Sequence, residues 1–185
     1  RDVKMLREIV PTELNLEMAA TDEMIRIALG IKPDLVTLVP EKRQELTTEG
    51  GLNLSTQKDA IAGAVKKIRK SGIPVSLFIN PSIMDMDIAK NIGADMVEIH
   101  TGLYANATGR NRNEELMKVR DAVKIALRNE LMVNVGHGLN YFNVKAIAAL
   151  EGLRGLYIGH SIVSRAVLVG LERAVREMKE LVTRG

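Results

Sequence analysis

The sequence predicts an α/β domain built on a mostly parallel sheet. Three observations predict it. Short runs rich in Val, Ile and Leu recur along the chain. Longer stretches with helical periodicity separate them. Glycines at positions 30, 72 and 93 each follow a helical stretch and precede an apolar run. Glycine suits the left-handed position that ends a helix, so helix, glycine, strand repeats as a unit. Alternating units of this kind place helices outside a parallel sheet.

The predicted strands are 13–17, 34–39, 74–79, 94–99, 131–136 and 154–159. Each is short and bounded by turn-forming or helical residues. Helices fit 22–29, 55–70, 82–91, 114–128, 142–150 and 162–182. In 55–70, Ile61, Ala64, Val65 and Ile68 form one stripe, with Lys66, Lys67 and Arg69 off it. In 114–128, Leu116, Val119, Val123, Ala126 and Leu127 repeat the pattern. Thr21 precedes Asp22 and Glu23, an N-cap followed by acidic residues in the first turn. Asn80-Pro81 is a cap followed by proline at the first helical position.

Two architectures satisfy this order: an open doubly wound sheet, or a (β/α)8 barrel. A barrel takes eight strands and typically ~250 residues, against the 185 residues here. Residue 1 is Arg, and residues 2–9 already read as an amphipathic helix. The expectation is a single TIM-type (β/α)8-barrel domain over residues 1–185 that lacks its first two strands, with six parallel strands present.

Composition narrows the function classes. Hydrophobic residues make up 46% and charged residues 26%, with 15 Gly and 5 Pro, an ordinary globular balance that excludes disordered and collagen-like classes. There are no cysteines, which excludes disulfides and thiolate metal sites and fits a reducing cytoplasm. No apolar run reaches the ~18 residues of a membrane span. The 26 basic residues are interspersed with 23 acidic ones and aromatics are 3%, which argues against a nucleic-acid-binding face. A net charge of +3 suits small anionic substrates such as phosphates.

Polar residues gather where parallel α/β folds place their sites, at the carboxyl ends of strands. Glu17 ends the first predicted strand, Glu98 and His100 the fourth, His137 the fifth, and His160 follows the sixth. All three histidines of the chain therefore share one end of the sheet. Period two puts Met96, Glu98 and His100 on one face and Val97 and Ile99 on the other. A carboxylate inside an apolar strand is costly to bury alone. Glu98 is thus either half of a buried ion pair, a strand end in water, or an acid aimed into a central pocket. Glu17 poses the same question, since Leu14 and Leu16 take the face opposite Asn15 and Glu17.

Two strand-to-helix connections are long, 40–51 and 100–109. Both are polar enough to serve as lids or binding loops. In Tyr157-Ile158-Gly159-His160-Ser161, Gly159 allows close backbone approach to a ligand, and Ser161 is a candidate cap for the next helix. The amides of such a helix tip suit a phosphate. Gly136-His137-Gly138 has the same character one strand earlier. No metal-ligand motif, Walker motif or dinucleotide fingerprint is present.

Taken together these segments resemble the pyridoxine 5′-phosphate synthase family. The resemblance is carried by Glu13-Leu14-Asn15-Leu16-Glu17-Met18-Ala19, by Val39-Pro40-Glu41-Lys42-Arg43-Gln44-Glu45 running on to Thr47-Thr48-Glu49-Gly50-Gly51, by Val97-Glu98-Ile99-His100-Thr101-Gly102, by Asn134-Val135-Gly136-His137-Gly138-Leu139-Asn140-Tyr141, and by Ile158-Gly159-His160. It implies condensation of 1-deoxy-D-xylulose 5-phosphate with 3-amino-2-oxopropyl phosphate to pyridoxine 5′-phosphate, releasing phosphate and water, with no metal and no organic cofactor. By resemblance Glu17 is a proton acceptor, His137 a proton donor, and Glu98 stabilises cationic transition states. Thr47 contacts the deoxyxylulose phosphate, and Gly138, Gly159 and His160 hold the aminoketone phosphate. His100 lies in the motif without an assigned role. The family's Asn-x-Asp-His segment, ligand-binding arginines and second proton-accepting histidine have no counterpart in positions 1–185, so reduced activity of this chain by itself is expected. The resemblance also implies homo-oligomers built from dimers. The alternatives are another phosphate-handling barrel isomerase or aldolase, or a non-enzymatic protein that binds phosphates or assembles with itself.

Overall fold

A computed structural model describes residues 1–41 and 50–183. The order is α1 (Asp2–Ile9), β1 (Asn15–Met18), α2 (Asp22–Ile31), β2 (Leu35–Leu38), α3 (Leu54–Arg69), β3 (Val75–Ile79), α4 (Ile83–Asn91), β4 (Met96–His100), α5 (Gly102–Asn106), α6 (Gly109–Arg128), β5 (Met132–Gly136), α7 (Val144–Ala148), β6 (Leu153–Tyr157), α8 (His160–Val169) and α9 (Leu171–Thr183). The six strands form one parallel sheet in the order β1-β2-β3-β4-β5-β6.

This sequential order curls the sheet into part of a barrel. Laid flat, six strands would set β1 and β6 roughly 24 Å apart, since neighbours are ~4.8 Å apart. Yet Glu13, two residues before β1, pairs with Arg154 of β6. Side chains of that length meet only if the sheet bends its two edges toward each other.

The alternation expected of the strands is observed. Leu77, Ile79, Val97, Ile99, Val133 and Val135 face the helices and join the main apolar core with Ile61, Val65 and Ile68 of α3 and Val119, Ala122 and Val123 of α6. The concave face holds Asn15, Thr37, Ser76, Phe78, Glu98 and Asn134, of which Thr37, Ser76 and Asn134 are wholly buried. Barrel interiors are commonly filled by bulky branched residues. Here polar side chains fill much of that space, and Thr37 donates to Asn15 Oδ1 at 2.9 Å.

Local chemistry sets the helix ends. Thr21 Oγ1 accepts from Met24 N at 3.2 Å as the cap of α2, and Ser82 caps α4 through Asp85 N. Five readings are corrected. Gly30 lies inside α2, and Lys32, at φ 54°, takes the left-handed position that ends it. Ser82 and not Asn80 caps α4, so Pro81 precedes the helix. The 162–182 stretch is two helices, because Gly170 adopts φ 85°, ψ 152°, a conformation essentially reserved for glycine. Arg165 of α8 then pairs with Glu177 of α9 across the break. The 100–109 segment is not a loose loop: it contains α5, and buried Tyr104 donates its hydroxyl to Asn143 O at 2.6 Å. Ser161 is not a helix cap, since the N-cap of α8 is Gly159 and the Ser161 hydroxyl donates to Leu139 O at 2.9 Å.

The helix-facing core carries a direct test. Ile99 is fully buried. Ile99→Ala is expected to lower stability by about 2–5 kcal/mol in urea unfolding, whereas Lys124→Ala on the exposed side of α6 is expected to fall within about 0.5 kcal/mol of the parent.

Candidate active site

A cleft of about 1530 Å³ opens at the carboxyl ends of the strands. Glu17, Glu98, His137, Gly138, Gly159 and His160 all line it, together with His100. Residues drawn from β1, β4, the β5–α7 turn and the start of α8 therefore share one cavity. Thr47 lies outside the described residues.

Glu98 forms the floor. Its side chain is buried on the concave face of β4, in register with Phe78 on β3 and Asn134 on β5. A Cβ placed on Gly136 would lie 2.3 Å from Glu98 Oε1 and 3.2 Å from Tyr157 Cβ, so glycine at 136 leaves the room that the carboxyl group occupies. Glu98 Oε2 is buried with no hydrogen-bond partner among the described residues. Burial, reinforced by the nearby Glu17 carboxylate, pushes the Glu98 pKa up to about 8. This favours the protonated form of Glu98 near neutral pH. Of the three possibilities open for Glu98, burial excludes the solvated strand end, and among the described residues no cation pairs with it.

The histidines meet on one wall. The His100 and His137 rings have centroids 4.8 Å apart, and Phe78 meets His100 edge-on at 5.3 Å. Gly102 packs so closely that a Cβ there would lie 2.6 Å from His100 Nε2. Among the described residues no group of three His, Asp or Glu side chains is arranged to hold a metal ion.

On the neighbouring strand, Gly159 starts α8 without any side-chain cap, so the first-turn amides of this ten-residue helix are left to solvent or ligand. Nothing lies within 4 Å of a Cβ built on Gly159. Gly159, His160 and Ser161 turn this tip to the cleft. Oriented amides of this kind suit an anion.

Sequence reasoning gave no role to Phe78 or Tyr157, both of which line the cleft. Phe78 is one residue from the end of β3, and its phase relative to Glu98 was the available signal. Tyr157 ends β6, in register with Gly136, and burial raises its phenol pKa above the ordinary value.

Comparisons with known proteins show the family of the chain. The family model described as "Pyridoxal phosphate biosynthesis protein PdxJ" matches residues 1–184. The chain belongs to this family. A protein from Thermodesulfovibrio yellowstonii named pyridoxine 5′-phosphate synthase is 65% identical over 182 residues, covering 98% of this chain and 75% of that protein. One of the same name from Geotalea daltonii is 56% identical over 183 residues, covering 98% and 77%. Solved structures of barrel type share the PdxJ-family chain's architecture at low identity. A KGPDC structure from Streptococcus mutans gives a TM-score of 0.67 at 16% identity over 98% of this chain and 77% of that one. A 3-hexulose-6-phosphate synthase gives 0.64 at 18% identity over 97% and 78%. These likenesses concern the fold alone.

Two measurements test the floor of this PdxJ-family site. Gly136→Ala is expected to destabilise the protein by roughly 1–3 kcal/mol through overpacking, and to do so much less in a Glu98→Ala background. The Glu98 carboxyl binds its proton more tightly folded than unfolded. Its contribution to stability is therefore full below about pH 4.5 and is lost as pH rises through about 8. Glu98→Gln is expected to gain stability relative to the parent across that window, read from urea unfolding at pH 5 and pH 8.5.

Proposed function

We propose that this chain is a pyridoxine 5′-phosphate synthase acting on 1-deoxy-D-xylulose 5-phosphate and 3-amino-2-oxopropyl phosphate. The observation that carries the reading is the convergence of Glu17, Glu98, His137 and the uncapped tip of α8 in one cleft, in a chain 65% identical to a protein of that name. Neither another phosphate-handling barrel enzyme nor a non-enzymatic binder accounts for that combination.

The chemistry asks for what the cleft offers. An amine adds to a ketone, water and phosphate leave, and a carbon–carbon bond closes the ring. Each step moves a proton, so several acid–base groups must surround one substrate pair. Glu17, at the exposed rim, is suited to accept protons. His137, in the turn after β5, is suited to donate one to a leaving oxygen. Glu98 enters protonated. A cationic iminium forming beside it favours its ionised form, so it gives its proton to the departing hydroxyl, which leaves as water as the cation appears, and the carboxylate then stabilises that charge at short range in a low-dielectric floor. The amides of Gly159 and His160 hold the aminoketone phosphate, with Gly138 beside them, and Thr47 contacts the deoxyxylulose phosphate. The reading includes no metal or organic cofactor, a cytoplasmic site of action and homo-oligomers built from dimers.

We also infer that the six strands are consecutive members of an eight-stranded barrel. The helices at the two edges of the sheet support this. Neither α1 nor α8 has a buried residue, and α8 exposes Val163, Val167 and Leu168. Two further βα units between β6 and β1 would cover those apolar faces and pair both sheet edges.

Incubation with both substrates tests the assignment, with pyridoxine 5′-phosphate read by mass spectrometry and released phosphate counted. Formation of both in equal amounts is expected, and no product at any enzyme concentration, with folded protein supplemented by the two further βα units, sinks it. Glu17→Gln and His137→Asn are each expected to lower kcat by roughly 10²- to 10⁴-fold.

A further inference from the structure

His137 sits in an unusual piece of backbone. It adopts φ 76°, and Gly138 follows at φ 78°, so two successive residues are left-handed. Glycine enters this region freely, whereas an L side chain does so only where its surroundings insist. Something must therefore hold the histidine there.

The carbonyls of the turn show what does. Four in succession accept hydrogen bonds from side chains elsewhere in the molecule. Thr101 Oγ1 lies 2.7 Å from both Gly136 O and His137 O, sharing its single proton between them. Asn143 Nδ2 donates to Gly138 O at 3.2 Å, and Ser161 Oγ to Leu139 O at 2.9 Å. The Thr101 backbone N–H also donates to Gly136 O at 2.8 Å. Thr101 is wholly buried, so no solvent competes for its hydroxyl. Its anchor is firm as well: it leads into α5, and Tyr104 of that helix is tied to Asn143 across the turn.

We propose that Thr101 is a positioning residue for His137, its shared hydroxyl holding the peptide between His137 and Gly138 in the orientation that keeps the imidazole on the cleft wall. The other three donors grip the flanks of the turn, and the threonine hydroxyl engages the carbonyl of the histidine itself. Without it, that carbonyl loses the Thr101 hydroxyl as donor, and the peptide is freer to rotate toward the conformations L residues prefer. The imidazole swings with it. The proposal rests on the reading of His137 as the proton donor.

The experiment compares Thr101→Val, which keeps the shape and removes the hydroxyl, with Thr101→Ser, which keeps the hydroxyl, and with His137→Asn. Turnover with both substrates is measured from pH 5 to 9, and the His137 ring resonances are followed by NMR. Thr101→Val is expected to lower kcat by about 10- to 100-fold, as a displacement near 1 Å does, with KM changed by less than about 3-fold. The His137 resonances shift or broaden in that variant, and the His137 limb of the pH profile moves. Thr101→Ser restores all three readouts. Should Thr101→Val not fold, Thr101→Ala takes its place, and a serine variant as slow as the alanine one overturns the proposal. Parental kcat, pH profile and ring resonances in the valine variant overturn it too, provided His137→Asn abolishes turnover. If His137→Asn retains turnover, the failure lies with the role given to His137 itself.

Discussion

The carboxyl group of Glu98 and the missing side chain of Gly136 occupy complementary space, and the cleft is organised around that contact. A buried acid beside an apolar wall cannot keep its charge without a partner. Here burial favours the protonated acid, and the Glu17 carboxylate nearby adds to that effect. The arrangement is costly for stability at neutral pH. It is useful where a cation must form, since an acid that ionises only in the presence of positive charge discriminates between the empty and the reacting site.

The rest of the fold serves that floor. Apolar residues on the convex face of the sheet bind the helices, leaving the concave face free of the need to make a hydrophobic core. Thr37, Ser76 and Asn134 can then stand inside the curl. The Glu13–Arg154 pair joins the two edges at the opposite end from the chemistry. Lys90–Glu130 and Arg69–Asp95 do comparable work between neighbouring βα units on the outside. Pairs this exposed contribute little each. Burial of Ile68, Leu77, Ile79 and Ile99 carries the stability.

Rigidity at the rim has its own logic. The turn after β5 holds strained backbone, and strain persists only where surrounding groups over-determine it. Thr101, Asn143 and Ser161 do so from three separate places in the chain. A histidine fixed in this way needs no ligand to organise it, which saves the reorganisation a mobile side chain would undergo in each cycle.

Much of this was legible in the sequence. The inner strands β2 to β5 lie where Val, Ile and Leu recur, because a parallel sheet buried by helices selects such runs whatever their distant neighbours. Period-two alternation placed Glu98 and His100 on one face, and glycine-flanked histidines at strand ends marked the cleft. What the sequence left undetermined depends on residues far apart in the chain. The protonation of Glu98 follows from its burial and from Glu17, 81 positions earlier by number. The room for its side chain follows from Gly136, and the conformation of His137 from Thr101. The Tyr104 hydroxyl that makes α5 a fixed element finds its acceptor at Asn143. Local periodicity reports which face a side chain takes, since that is a property of the backbone repeat. Which groups then meet on that face, and how much water reaches them, is decided only when the sheet curls.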